Sequence, residues 1–396
     1  MNLQVIRNVR PLGGSACDVV LEQGVIKAMM PAGTAAPGID CLIDGQGQLL
    51  LPALVDSHVH FDKTLWGTPW RANTAGSTRN ERIANEQGVL GNFAVAIADR
   101  AGPLIEHCIA KGSLYFRCHV DAQTVWGLRH IEAMLELRQK YASLIDMQLV
   151  TFPQGGMLIQ PGTTDLMRAA LDRGVDIVGG IDPATLDRDP IRHLETLFDL
   201  ATGYGRGIDI HLHEPGELGR WQIERIADMT RACGLTGRVM ISHAYSLGAF
   251  PPHDLLALAD RLAELDISIM TCVLHQAALP VAMLRSRGVN VCSGSDGIRD
   301  AWSPSGNGDM LARASLLALR SDWNRDQDLA MAFDIVTAGG AHALGLTRYG
   351  LAAGCQANLV LLPAENLAEA VVNHSQQRTV ISRGKIVARD GVYLGH

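Results

Sequence analysis

The chain has 396 residues, 47% of them hydrophobic and 19% charged, with a formal net charge of −7; this suffices for a large core in one big domain or two. An acidic balance with no basic stripe and only 5% aromatic residues leaves neither a phosphate-binding face nor a base-stacking surface, so no nucleic-acid partner is expected. No apolar run spans a bilayer, and Met1–Arg7 has no basic region followed by a long apolar core, so neither a membrane role nor a secretory leader is expected.

Residues 1–50 read as short β-prone pieces broken by Gly and Pro. Asp18–Glu22 and Gly24–Met29 form a hairpin pattern, and Leu42–Gly47 a further strand and turn. So few strands cannot bury a core alone.

From Leu51 apolar strand-like runs alternate with longer amphipathic stretches. Strands are expected over 50–58, 113–120, 146–152, 175–180, 207–212, 238–243, 267–272 and 289–294. Helices are expected over 84–110, 127–141, 165–173, 217–233, 253–264 and 277–287. Eight strand–helix units are the rhythm of a (β/α)₈ TIM barrel. After it, 357–362, 377–381 and 385–388 return to short strands. The expected organisation is a barrel over 51–345 and a small β-sandwich built jointly from 1–50 and 346–396. The eight cysteines contain no Cys-x-x-Cys spacing; several lie in apolar strand-like runs and read as free thiols of a reducing compartment, the cytoplasm.

Barrel enzymes place their reactive groups at the C-terminal ends of strands. Strand 1 ends in His58 and His60, which point to one side because strand residues alternate. Strand 2 ends in His119-Val120-Asp121, strand 3 in Thr151 to Gly156 with Gln154. Strand 5 ends in His211, His213 and Glu214, strand 6 in His243, strand 8 in Asp296. Three neutral imidazoles (His58, His60, His211) and the Asp296 carboxylate suit one divalent metal ion, Zn²⁺ or Fe²⁺. Such an ion keeps a position for water and lowers its pKa to about 7. Attack on an sp² carbon then needs a proton carrier, for which Glu214 is expected. His243 is expected to hold the attacking water, and Gln154 to offer a donor and an acceptor to an amide-like ring edge.

These residues resemble the amidohydrolase superfamily: His-x-His on strand 1, then His, His and Asp on strands 5, 6 and 8. Leu51–Asp56, and Gly350–Gly354 followed by Ala357–Val360, resemble its flanking motifs. Within it the chain resembles cytosine deaminase, through Ile145–Gln154 and Asp176–Gly180. The resemblance implies a metallo-dependent hydrolase barrel. It implies ligands His58, His60, His211 and Asp296, acid–base groups Glu214, His243 and Asp296, and substrate contacts from Gln154 and Trp302. No lysine stands at strand 4, which implies one metal. Three features depart from that relative: Gly297 stands where it has an acid, His213 where it has an aspartate, and Phe61–Trp70 is not Thr-rich. The Asp62-Lys63 pair resembles relatives acting on aminotriazines such as isopropylammelide. Lys63 either contacts a ring oxygen or carboxylate of the substrate or pairs with an acid at the barrel rim.

The expected activity is hydrolytic deamination of a cytosine-like heterocycle with release of ammonia. The alternative is release of a substituted amine from an aminotriazine, or opening of a cyclic amide. A non-catalytic binding protein on the same barrel is the remaining reading. The expected partner is a small heterocyclic substrate; a homo-oligomer is compatible with such a barrel, although no patch marks its interface.

Overall fold

The computed structural model describes residues 3–36, 38–91, 93–274 and 279–395. It opens with strands β1 (Leu3–Pro11), β2 (Cys17–Glu22), β3 (Val25–Pro31), β4 (Asp40–Asp44) and β5 (Leu49–Pro52). Strands β2 and β3 pair antiparallel around Gln23 and Gly24. Both turn residues have positive φ, 51° and 75°, as a two-residue hairpin that follows the strand twist requires.

The barrel strands follow: β6 (Leu54–His60), β7 (Ser113–Asp121), β8 (Asp146–Phe152), β9 (Ile177–Ile181), β10 (Gly207–His211), β11 (Val239–Ser242), β12 (Ser268–Thr271), β13 (Val291–Ser293) and β14 (Asp296–Gly297). Every adjacent pair is parallel, in the order β13-β12-β11-β10-β9-β8-β7-β6-β14. All of β6 and β7 is buried. A parallel strand is covered by helices outside and by side chains inside, so its residues read as a near-continuous apolar run. Only Gly294 and Ser295 separate β13, which pairs with β12, from β14, which pairs with β6 through Asp296↔Val59 and Gly297↔His60. The eighth barrel strand thus joins both ends of the sheet and closes the ring.

Around it lie α1 (Arg79–Gly91), α2 (Ile97–Ala110), α3 (Arg129–Tyr141), α4 (Thr163–Asp172), α5 (Pro190–Tyr204), α6 (Gly216–Ala232), α7 (Leu256–Glu264) and α8 (Val281–Ser286). The single helix expected over 84–110 is two, α1 and α2; Gly88 and Gly91 weaken the run just where it ends. Residues 277 and 278 of the expected last helix lie outside the described residues. Three further helices, α9 (Met310–Arg320), α10 (Asp326–Ile335) and α11 (Ala338–Ala343), follow the eighth strand. The strand–helix alternation has stopped there, so it does not announce them. None of the helices among the described residues is long and apolar enough to cross a membrane.

The C-terminal limb contributes β15 (Leu359–Leu362), α12 (Leu367–Asn373), β16 (Thr379–Ser382), β17 (Lys385–Arg389) and β18 (Val392–Tyr393). Strand β15 pairs antiparallel with β5, from Leu359↔Pro52 to Leu362↔Leu49. Both termini thereby share one mixed sheet, β18-β17-β16-β15-β5-β1-β2-β3, with β4 on β1.

Arg378, just before β16, anchors this limb to the barrel. Its guanidinium is fully buried and donates two hydrogen bonds to Asp309, 2.9 Å to each oxygen. Asp309 in turn caps α9 by accepting from Leu311 N at 3.0 Å. Removing one partner leaves a buried charge unpaired, which costs about 3–5 kcal/mol. Arg378→Ala is therefore expected to lose that much stability in denaturant unfolding, while Arg389→Ala, an exposed change on β17, stays within about 0.5 kcal/mol.

Candidate active site

Four side chains from three strand ends converge on one point inside the barrel mouth. His58 and His60 come from β6, His211 from β10 and Asp296 from β14. Asp296 Oδ1 lies 3.3 Å from His60 Nε2 and 3.8 Å from His58 Nε2. His60 Nε2 and His211 Nε2 are 3.4 Å apart. Gly294 permits this approach: a Cβ there would sit 2.6 Å from both the Cβ and the backbone N of His58. Asp296 and His243 have φ of 60° and 71°, left-handed values that cost a non-glycine residue roughly 1–3 kcal/mol and gather at functional sites.

The cluster is electrostatically prepared for a cation. Burial, reinforced by neighbouring imidazoles, holds His58 and His211 well below the usual histidine range; burial and then Lys63 lower His60. In all three the shift favours the neutral imidazole, the form that binds a metal. Burial pushes the Asp296 carboxyl up, but His60, His243 and His58 outweigh it and hold it well below the carboxylate range. Among the described residues, no hydrogen bond reaches the buried His58 Nε2 or His211 Nδ1, an arrangement that costs free energy unless something binds there. Ligand atoms of His58, His60 and Asp296, and those of His58, His211 and His243, lie within 4.8 Å of one another. The donor set therefore fits a divalent ion.

A hydrogen-bonded chain orients His58. His58 Nδ1 lies 3.0 Å from Ser242 Oγ, and Ser242 Oγ donates to Asp209 Oδ1 at 2.7 Å. Since the Ser242 proton goes to the carboxylate, His58 Nδ1 must carry the proton of its own bond, which frees Nε2 as a ligand atom. His119 closes this floor: its ring centroid is 3.9 Å from that of His58, and its Nε2 is 3.4 Å from Asp209.

Above the cluster lies an inner cavity of about 80 Å³ walled by His60, Phe152, Gln154, His243, Gly297 and Trp302. It opens into a vestibule of about 220 Å³, and Arg82, His213, Asp296 and Trp302 line both. Lys63 is buried on the cavity wall and donates to Asp121 at 3.0 Å and to Gln154 Oε1 at 2.5 Å. Burial works against its charge, but Asp121, Glu86 and Asp62 outweigh it and raise its pKa. Lys63 thus pairs with an acid of the rim, one of its two expected roles, and it also lines the cavity in which the other would be played. Its hydrogen bond leaves the Gln154 amide nitrogen free to donate. Trp302 lines the cavity with its indole N–H donated to Glu86 at 2.7 Å.

Glu214 is the expected site residue that the structure does not bring to this cavity. Its Oε1 accepts from Ala184 N (2.9 Å), Thr185 N (2.6 Å) and Thr185 Oγ1 (3.0 Å), and its Oε2 from Gln222 at 2.7 Å. The turn after β10 points its neighbour His213 inward instead. His213 N donates to Asp182 Oδ1 at 2.7 Å, its Nδ1 lies 2.9 Å from Asp182 Oδ2, and its ring stacks on His243 at 4.3 Å. Arg79 pairs with the same carboxylate at 2.5 Å. Asp182, Asp209, Ser242 and Asp300 were not expected at the site. Two of them carry a local signal: Asp209 lies two residues before His211 on the same strand, and Asp182 directly follows the end of β9.

A sequence profile described as the amidohydrolase family matches residues 94–388. The chain is 34% identical over 358 residues to N-isopropylammelide isopropyl amidohydrolase of Pseudomonas sp. strain ADP, covering 89% of each chain. Its structure matches that of N-isopropylammelide isopropylaminohydrolase from Burkholderia multivorans with a TM-score of 0.95 and 40% identity over the whole of both chains. It matches 5-methylcytosine deaminase from Klebsiella pneumoniae with a TM-score of 0.84 and 30% identity, covering 100% of this chain and 98% of the other.

Proposed function

Since the chain belongs to the amidohydrolase family, and is a hydrolase of carbon–nitrogen bonds, we propose that it removes an exocyclic amine from a small oxygenated nitrogen heterocycle of the aminotriazine or aminopyrimidine type. The observation that carries this reading is the two-part cavity. The inner part has the scale of one planar ring, and the vestibule, which reaches Asp296 and His213, leaves room for a substituent on the departing amine. A substituted amine is therefore the favoured leaving group, in keeping with the aminotriazine-acting relatives.

In this reading one ion, Zn²⁺ or Fe²⁺, is held by His58, His60, His211 and Asp296, and it supplies Lewis acidity and lowers the pKa of water to about 7. Strand β9 has no lysine, which supports a single ion. Phe152 and Trp302 confine the ring, while the Gln154 amide N–H meets a ring carbonyl or nitrogen. Water adds to the amine-bearing carbon: a C–O bond forms, the C–N bond breaks and the amine leaves with a proton, giving a ring carbonyl. His243 holds the proton of the attacking water at Nε2, a buried nitrogen with no partner among the described residues. His213, its Nδ1–H held by Asp182, presents Nε2 at the side from which the amine departs. Glu214, in turn, steadies the 184–185 loop beside Asp182. Cys108, Cys118, Cys272 and Cys292 are buried free thiols, which supports a cytoplasmic location.

The test is a panel of ammelide derivatives, cytosine, isocytosine and creatinine, assayed separately for ammonia and alkylamine with metal content measured. Turnover of N-alkylated aminotriazines above the others is expected. Metal-loaded protein that hydrolyses none of them overturns the reading.

The chain from His58 through Ser242 to Asp209 yields a separate expectation. Ser242→Ala removes the acceptor for His58 Nδ1–H and is expected to weaken metal binding about 10–100-fold, as measured by chelator competition, without unfolding the protein.

A further inference from the structure

Gly297 follows the Asp296 carboxylate at the cavity wall, and its φ is not in the left-handed region. The backbone therefore does not require glycine there. A side chain does: a Cβ built on Gly297 would lie 2.9 Å from Asp300 Cγ and would overlap Oδ2. The Asp300 carboxylate occupies the space where a side chain at 297 would stand.

That carboxylate is fixed in place. Its Oδ1 accepts from Trp302 N at 2.8 Å and Ser303 N at 2.9 Å, and Asp300 N donates to Ser303 O at 3.0 Å. This is a side-chain turn, and it uses only one oxygen. No hydrogen bond reaches Oδ2 among the described residues. Asp300 is only 6% exposed, and it lines the inner cavity together with Gly297 and Gln154. Oδ2 therefore keeps its acceptor capacity at the cavity, open to a donor on a ligand. The carboxyl is pushed up to about 6 by burial, against the hydrogen bonds from Ser303 and Trp302 and the charge of Lys63, as befits an acceptor whose remaining donor comes from outside the protein.

We propose that Asp300 is the specificity-determining acceptor of this site: its Oδ2 takes a hydrogen bond from a ring N–H of the substrate, and residue 297 is glycine so that this carboxylate can enter the cavity. Gln154 has its oxygen committed to Lys63 and offers a donor. The two side chains together read a ring edge carrying both an N–H and a carbonyl, the lactam edge of an oxo-heterocycle. A ring methylated at that nitrogen, or lacking the hydrogen, leaves Oδ2 unpaired. This inference rests on the function proposed above and narrows its substrate class.

The experiment compares kcat/KM for the best substrate of the panel with its ring-N-methylated analogue, in wild type, Asp300→Ala, Asp300→Asn, Gly297→Ala and the Gly297→Ala/Asp300→Ala double variant. Thermal unfolding and metal content are measured for each. Asp300→Ala is expected to lose about 10–100-fold on the N–H substrate, the worth of one charge-assisted hydrogen bond, and little on the methylated one, so that discrimination collapses. Asp300→Asn, with an acceptor of lower charge, is expected to fall between. Gly297→Ala alone is expected to lose about as much as Asp300→Ala, because it displaces the carboxylate. In the Asp300→Ala background it should cost less than about threefold, the non-additivity of two changes acting on one group. Unchanged discrimination in Asp300→Ala, or losses that multiply in the double variant, overturn the proposal while leaving the proposed function standing. An inactive wild type overturns both.

Discussion

Asp296→Asn is expected to lower kcat/KM by about 10⁴, the upper end of what a positioned acid–base group supplies, and to leave well under one metal ion per chain. Two losses combine. The amide keeps the shape of the carboxylate but not its charge, and the charge is what balances a cation among three imidazoles. The amide also has no basic oxygen to share the proton of the attacking water. Asp296 is held well below the usual carboxylate range despite burial by its hydrogen bond with His60 and by facing His243 and His58, so an uncharged replacement keeps those contacts but takes the anionic partner away from the cation. Stripping the wild type with a chelator should reproduce the loss of activity, and adding back Zn²⁺ or Fe²⁺ should reverse it; neither ion should rescue the variant. An Asn variant that keeps full metal and more than a tenth of its activity would remove Asp296 from the ligand set.

A comparison of two adjacent residues, His213→Ala and Glu214→Gln, separates the candidates for proton carriage. His213→Ala is expected to lower kcat by about 10²–10⁴ with metal retained, because the cavity loses the imidazole nitrogen nearest its outer half. Glu214→Gln is expected to keep more than a tenth of wild-type kcat. Its Oε1 still accepts from Ala184 and Thr185, and the new amide can donate to Gln222 Oε1, a buried atom with no partner among the described residues, once the Gln222 amide rotates. A hundredfold fall in folded, metal-loaded Glu214→Gln, with His213→Ala near wild type, would return the proton to Glu214.

These two residues also mark where local reading of the chain stops working. Within a strand the two-residue alternation assigns faces, so the spacing of His58 and His60 is enough to pair them on one side. The turn after β10 has no such period. His213 faces inward and Glu214 outward because Asp182, at the end of a different strand, binds His213 N and Nδ1, and because the 184–185 backbone and Gln222 take up the Glu214 oxygens. Lys63 stays open between two roles in the sequence for a similar reason: its partners Asp121 and Gln154 lie 58 and 91 residues away.

The barrel is legible in the chain itself, through eight apolar runs, and so are the polar strand ends from which the candidate metal ligands come. Both are repeated local patterns set by burial, and burial leaves its period in the order of residues. Which polar groups support those residues, and which oxygens remain free, is settled by packing alone. The Ser242–Asp209 chain spans β10 and β11. The Asp300 carboxylate stands over Gly297 because a turn two residues further on holds it there. Such contacts depend on loop conformations that follow no repeat, and they exist only once distant segments have packed.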